Sequence, residues 1–223
     1  MTFFSSAALE AAPVGATPAL RVSTNYMETF LPLQPVSSGT EIQTYLNTAG
    51  MLDIYSVGTN GRVYRYRRTD ATLAPYEEAD LGIRASQLYF FDAAGGRSNT
   101  PSIFGLNSDS KLTLATYQSG GYGQRNTGPQ NEVIRHFLGV RGVTGRIYIN
   151  VRLSDGRLCT NYYEPQNDKW GGPVWAPVIG PDGKEAVVKE IAMAANNPVQ
   201  SAIFAIGMDD EVLFAEDSFR TSH

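Results

Sequence analysis

The chain has one cysteine, two histidines and two tryptophans in 223 residues, and these scarcities exclude several chemistries at once. A single Cys159 cannot form an intramolecular disulfide. Its place inside an apolar strand phrase marks it as a buried, inert thiol. One cysteine with His136 and His223 cannot assemble the usual zinc ligand set, and no Gly-x-Ser-x-Gly elbow or Cys–His pair offers a nucleophile. Gly120-Gly-Tyr-Gly123 lacks the following Lys-Ser/Thr and the strand–helix setting of a phosphate loop. Excess positive charge is also missing. A net charge of −4 and a pI near 5.2 leave no whole-domain footprint for nucleic acid. There is no apolar run long enough to insert in a membrane, and the N-terminus has no basic region ahead of a sustained apolar core; Glu10 and Pro13 interrupt Ala7–Val14. The expected setting is cytoplasmic, or release without a classical signal peptide. No window holds an apolar helical stripe beyond two turns, so the element type is strand.

What the chain does have is a repeated phrase. A β-branched and aromatic run, a polar turn and another apolar run occur four times: Ile54–Val63, Ile103–Leu112, Ile149–Leu158 and Ile203–Val212. The turn residues Asn60, Asp109, Asp155 and Asp209 recur at intervals of 49, 46 and 54 residues. A period near fifty with one hairpin per copy is that of a β-propeller blade. A further apolar run precedes each hairpin (Glu41–Leu46, Gln87–Phe91, Val133–Val140, Val187–Ala194), and a more polar segment such as Thr72–Ala79 or Pro173–Ile179 follows. Each blade therefore reads as an inner strand, a hairpin and a polar outer strand. The fold class is all-β, a small propeller of four blades with five as the alternative. Residues 1–18 read as a flexible arm and 19–223 as one propeller domain. Thr29–Gln34 resembles Thr72–Glu77, so it is expected to clasp Val212–Phe219 of the last blade and close the ring.

The phrases Val57-Gly-Thr-Asn-Gly-Arg-Val-Tyr64 and Ile206-Gly-Met-Asp-Asp-Glu-Val-Leu213 resemble the repeats of tachylectin-2-like and tectonin-type propellers, over roughly residues 20–219. The resemblance implies a non-catalytic sugar-binding or interaction module. Lectin propellers repeat their ligand residues in each blade. Here the equivalent positions read Tyr66-Arg67-Arg68, Ala115-Thr116-Tyr117, Asn161-Tyr162-Tyr163 and Ala215-Glu216-Asp217, which fits one site, or one broad protein-binding face, rather than four equal pockets.

Candidate ligand residues are those that pair an aromatic face with polar donors, as a sugar requires. Tyr122 and Arg125 lie in the Gly-rich loop Gly120–Gly128, and Trp170 and Trp175 flank Gly171-Gly-Pro173. The competing reading is that both tryptophans pack between blades. No cofactor and no metal is expected: Asp209-Asp210-Glu211 aligns with the hairpin turns Asn60-Gly61-Arg62 and Asp155-Gly156-Arg157. Glu41, Asp92, Glu132 and Glu190 on inner strands leave a glycoside hydrolase as a third possibility. Interleaved Arg62–Arg68 reads as a soluble edge strand, with an anionic partner as the alternative. The partner expected is a glycan, or a protein as the second reading, with no nucleic acid and no membrane insertion.

Overall fold

In the computed structural model, residues 21–23, 30–32, 39–47, 50–67, 77–92, 100–142, 145–172, 175–197 and 200–218 are described. A short hairpin comes first, β1 (Arg21–Ser23) with β2 (Phe30–Pro32). Four antiparallel meanders follow. The first runs β3 (Gly39–Leu46), β4 (Leu52–Gly58), β5 (Arg62–Arg67) and β6 (Glu77–Arg84). The second is β7 (Gln87–Phe91), β8 (Ser102–Leu106), β9 (Leu112–Gln118) and β10 (Gly121–Asn126). The third is β11 (Ile134–Arg141), β12 (Ile147–Leu153), β13 (Leu158–Glu164), β14 (Lys169–Trp170) and β15 (Ala176–Pro177), the last two sharing the edge of β13. The fourth is β16 (Val188–Asn197), β17 (Gln200–Gly207) and β18 (Val212–Ser218).

The repeat grammar has a backbone cause. The residue after each aligned turn position has positive φ: Gly61 at 73°, Ser110 at 58°, Gly156 at 88° and Asp210 at 69°. Side-chain oxygens then hold the turn. Asn60 Oδ1 accepts from Arg62 N at 2.9 Å, and Asp155 Oδ1 accepts from Arg157 N at 3.1 Å. A tight turn of this kind brings the two flanking runs back antiparallel, and the intervening strands bury on both sides. All five residues of β8 are buried, as are six of the seven in β12.

The buried apolar side chains form three clusters, one at each boundary between successive sheets. Tyr55, Val57, Val63, Leu88 and Ile103 join the first sheet to the second. Phe91, Phe104, Leu114, Phe137, Ile149 and Tyr163 join the second to the third. Leu158, Val188, Ile191 and Ile203 join the third to the fourth. Inner strands pack in the same order, β3 on β7, β7 on β11 and β11 on β16. At Gly139 of β11 any Cβ would lie 2.7 Å from the Tyr89 ring of β7, so glycine allows the sheets to meet there. The fold is all-β, and its four larger antiparallel sheets follow one another in a propeller-like arrangement. Among the described residues no helix is long and apolar enough to cross a membrane.

Two expectations are corrected. Among the described residues of the expected clasp of Thr29–Gln34 on Val212–Phe219, Phe30–Pro32 pairs instead with Arg21–Ser23, and Val212–Ser218 pairs with Gln200–Ile206; Thr29, Leu33, Gln34 and Phe219 lie outside the described residues. A partner seven to eleven residues upstream costs less loop-closure entropy to reach than one nearly the whole chain away. Gly120–Gly128 is not simply a loop either, because Gly121–Asn126 is the outermost strand of the second sheet. Positive φ at both Ser119 (49°) and Gly120 (93°) makes the two-residue hairpin turn that creates it. The arm assigned to residues 1–18 lies outside the described residues.

Candidate functional site

A groove of about 1130 Å³ opens between the outer parts of the second and third sheets. Its second-sheet side is built by Arg125 and Asn126 at the end of β10 and by the segment Thr127–Glu132 that leads into β11. That segment is held by Thr127 N and Gly128 N, which donate to Leu112 O at 2.9 and 3.2 Å. Gly128 sits so close to Leu112 that an added Cβ would lie 2.9 Å from the Leu112 Cβ. The third-sheet side carries Cys159 and Asn161 of β13, then Asp168, Trp170, Gly172, Trp175 and Pro177.

The two tryptophans have double duty. Trp170 rests on the buried cluster of this sheet boundary, with ring centroids 5.7 Å from Phe104 and 5.4 Å from Tyr163. Trp175 lies against Trp170 at 5.2 Å and 49°. Both indoles are half-buried and both line the groove, so packing and a ligand-facing aromatic wall coexist in the same pair. Gly171 fixes their approach: its N–H donates to Tyr162 O at 2.8 Å, and an added Cβ would fall 1.9 Å from the Tyr162 ring. Arg146 stacks on that same ring, 4.6 Å from its centroid.

Charges in the groove are matched. Arg125 Nη2 donates to Asp168 Oδ1, and the Tyr163 hydroxyl donates to the same oxygen at 2.5 Å. Arg125, then Tyr163, holds the Asp168 carboxyl below its usual range despite some opposing burial. Arg157 donates to Asp155 at 2.6 Å, to Glu132 at 3.1 Å and to Glu185 at 3.4 Å. Lys111 Nζ donates to the Glu132 carbonyl at 2.6 Å. The lining thus has three cations, Lys111, Arg125 and Arg157, against three carboxylates, Glu132, Asp168 and Glu185. The exposed amides of Asn126, Gln130 and Asn131 make no hydrogen bond to another described group, which leaves them as donors and acceptors toward the groove. Burial pushes the Cys159 thiol pKa up and keeps it unreactive.

Of the residues singled out in the sequence, Arg125, Trp170 and Trp175 come together here. Tyr122 does not. It packs on the cluster between the first and second sheets, its hydroxyl donating to Pro101 O at 2.8 Å and its ring meeting Tyr117 edge-on at 5.4 Å. The alternation of β10 explains this, since Tyr122 and Arg125 differ by an odd number and occupy opposite faces. The inner-strand acids are mostly occupied: Glu41 accepts from Leu88 N at 3.0 Å, Asp92 accepts from Tyr45 Oη and from Arg141 Nη1, and Glu132 pairs with Arg157. Asp168 and the amide run Gln130-Asn131 were missed in the sequence. A polar segment between two repeat copies was the available signal.

No family model and no curated protein matches the chain. Solved structures do. The chain is similar to BBS1N in a crystal structure of its complex with ARL6DN, soaked with lead, at TM-score 0.53 and 14% identity over 81% of this chain and 55% of that one. It is also similar to AofleA from Arthrobotrys oligospora, at TM-score 0.49 and 14% identity over 80% of this chain and 52% of that one. The chain spans about half the length of these solved chains. The likeness to BBS1N is one of fold, and it agrees with the propeller-like sheets.

Proposed function

We propose that this protein is a non-enzymatic ligand-binding propeller whose groove between the second and third sheets takes a neutral carbohydrate. One observation carries the reading: two tryptophans and unengaged amides share a groove with balanced charge. A pyranose presents an apolar C–H face and a rim of hydroxyls, so an indole wall meets the face while Asn126, Gln130 and Asn131 meet the rim. The Arg125–Asp168 pair offers a donor and an acceptor side by side, the pattern that two adjacent hydroxyls satisfy. Neutrality follows from pairing. Both arginines of the lining are held by carboxylates and Lys111 Nζ by the Glu132 main-chain carbonyl, so at Arg125 and Arg157 a carboxylated or sulfated sugar would have to compete with a resident carboxylate. The same pairing supports a binding role over hydrolysis, since Glu132, Asp168 and Glu185 are all engaged by arginine. The test is a glycan array comparing wild type with Trp175→Ala. Neutral glycans should bind wild type and lose signal in the variant. Binding restricted to sialylated or sulfated glycans, or no glycan binding, would defeat the proposal.

A further inference from the structure

Two ion pairs join the walls of the groove between the second and third sheets, and they lie far apart along β13. At one end Arg125 meets Asp168, which the Tyr163 hydroxyl also binds at 2.5 Å. At the other end Glu132, on the same wall as Arg125, meets Arg157 at 3.1 Å. Both partners of this second pair are held from outside the groove. Asp155 accepts from Arg157 at 2.6 Å, and the Glu132 carbonyl accepts from Lys111 Nζ at 2.6 Å. Between the two pairs β13 supplies a floor. Alternation puts Arg157, Cys159, Asn161 and Tyr163 on the groove side, and Cys159 and Asn161 are only 9% and 6% exposed.

The spacing sets a ligand length. From Arg157 to Tyr163 is six residues of extended chain, or roughly 20 Å. The two linkage oxygens of a 1,4-linked pyranose are roughly 5 Å apart, the width of a six-membered ring plus two C–O bonds. The volume agrees, since about 1130 Å³ is more than one pyranose can fill. The halves of the groove also differ in chemistry. Trp170 pairs in register with Tyr163, and Ala176, next to Trp175, pairs with Thr160, so the indole wall covers the half nearer Asp168. The half nearer Arg157 is polar, with Gln130, Glu132 and Glu185 facing it, which suits further hydroxylated units rather than an apolar tail.

We propose that the groove takes a linear neutral oligosaccharide of about four pyranose units, laid along β13 from Arg125–Asp168 to Arg157–Glu132. This rests on the sugar reading of the groove and gives that site a length. A monosaccharide fills the indole half, and the third and fourth units reach the polar half.

The test is calorimetric titration of the full chain with neutral linear ladders of cello-, manno- and N-acetylated chito-oligosaccharides, one to six units long, beside the glycan array. In at least one ladder affinity should climb about twentyfold or more from one unit to four, then change less than about twofold. Extra binding registers alone would raise it only in proportion to the number of units. Arg157→Gln should cut the gain between two and four units at least about fivefold, whereas Asp168→Asn should weaken every length alike. Gln130→Ala, at an exposed amide two residues before Glu132, repeats the far-end test should Arg157→Gln fold poorly. Three results would overturn the extended site while leaving the sugar reading in place. They are full affinity already with one unit, array binding only to branched glycans that no ladder reproduces, and a length gain that both far-end variants leave intact. A gain that continues undiminished to six units would contradict the bounded length. No neutral glycan signal on the array would remove the sugar reading, and this site with it.

Discussion

Arg125 on the outermost strand of the second sheet and Asp168 in the third grip each other across the boundary between the two sheets. Asp168 is delivered by a short 3-10 turn, Pro165–Asn167, and sits just past it in the left-handed region at φ 48°. The pair thereby ties one wall of the groove to the other, and the Tyr163 hydroxyl locks the carboxylate from the buried side.

Both partners are more than half exposed, at 52% and 57%, so solvent screens the attraction. A double-mutant cycle on Arg125→Ala and Asp168→Ala should give a coupling in stability below about 1 kcal/mol. Ligand binding is the more sensitive readout. Because the folded-state pKa of Asp168 is depressed, the carboxylate is charged at neutral pH, and its contribution fades as pH falls through that lowered value. Affinity should therefore stay flat from neutral pH down through the ordinary aspartate range and decline only below it. Asp168→Asn should remove the acid-side decline; a midpoint that survives this substitution would point to another group.

The two tryptophans should separate in their consequences. Trp170 touches Phe104, Tyr163 and Trp175, so Trp170→Ala should cost about 3 kcal/mol of stability, close to the lower end for removing a large core aromatic. Trp175 packs on the same cluster with Trp170 as its ring partner, against three for Trp170, and Trp175→Ala should cost about half that while reducing sugar affinity at least about fivefold. Thermal unfolding and titration calorimetry on the same two variants give both numbers.

Tyr122→Phe should lower stability by about 1 kcal/mol, since it leaves the Pro101 carbonyl without its donor. Sugar affinity should not change, because Tyr122 belongs to the boundary between the first and second sheets. A loss of affinity at constant stability would place Tyr122 in the binding site after all.

Gly171→Ala should destabilise by about 1–3 kcal/mol, although glycine is replaced by the smallest chiral side chain. The new methyl would collide with the Tyr162 ring, and relief requires moving either that ring or the backbone that carries Trp170. Gly183→Ala serves as a contrast, with open space around it and a strained positive φ of 78° as its only cost.

The repeat was legible because each turn needs a residue tolerant of positive φ beside an Asn or Asp, and that chemistry is written at Asn60-Gly61, Asp109-Ser110, Asp155-Gly156 and Asp209-Asp210. Inner strands were legible for a related reason: runs such as Gln87–Phe91 are apolar on both faces. Strand β10 was hidden by its composition. Gly121 and Gly123 lower strand propensity, and only pairing with β9 overrides it. The partner of Phe30–Pro32 was misjudged because resemblance to another outer strand says nothing about loop-closure cost. In the groove, Trp170, Trp175 and Arg125 carried a recognisable chemistry. Asp168 did not, because its meeting with Arg125 spans 43 residues and depends on how two sheets pack.

The chain contains two tryptophans, and both line the groove, so intrinsic tryptophan fluorescence reports occupancy of this site and no other. The decisive measurement is a fluorescence titration with the strongest neutral glycan from the array, run beside calorimetry. A glycan seated on the indole wall predicts a saturable change in tryptophan emission with the same dissociation constant that calorimetry gives, and loss of both signals in Trp175→Ala. Heat of binding without any change in tryptophan emission would contradict the account, because the sugar would then be held elsewhere on the molecule.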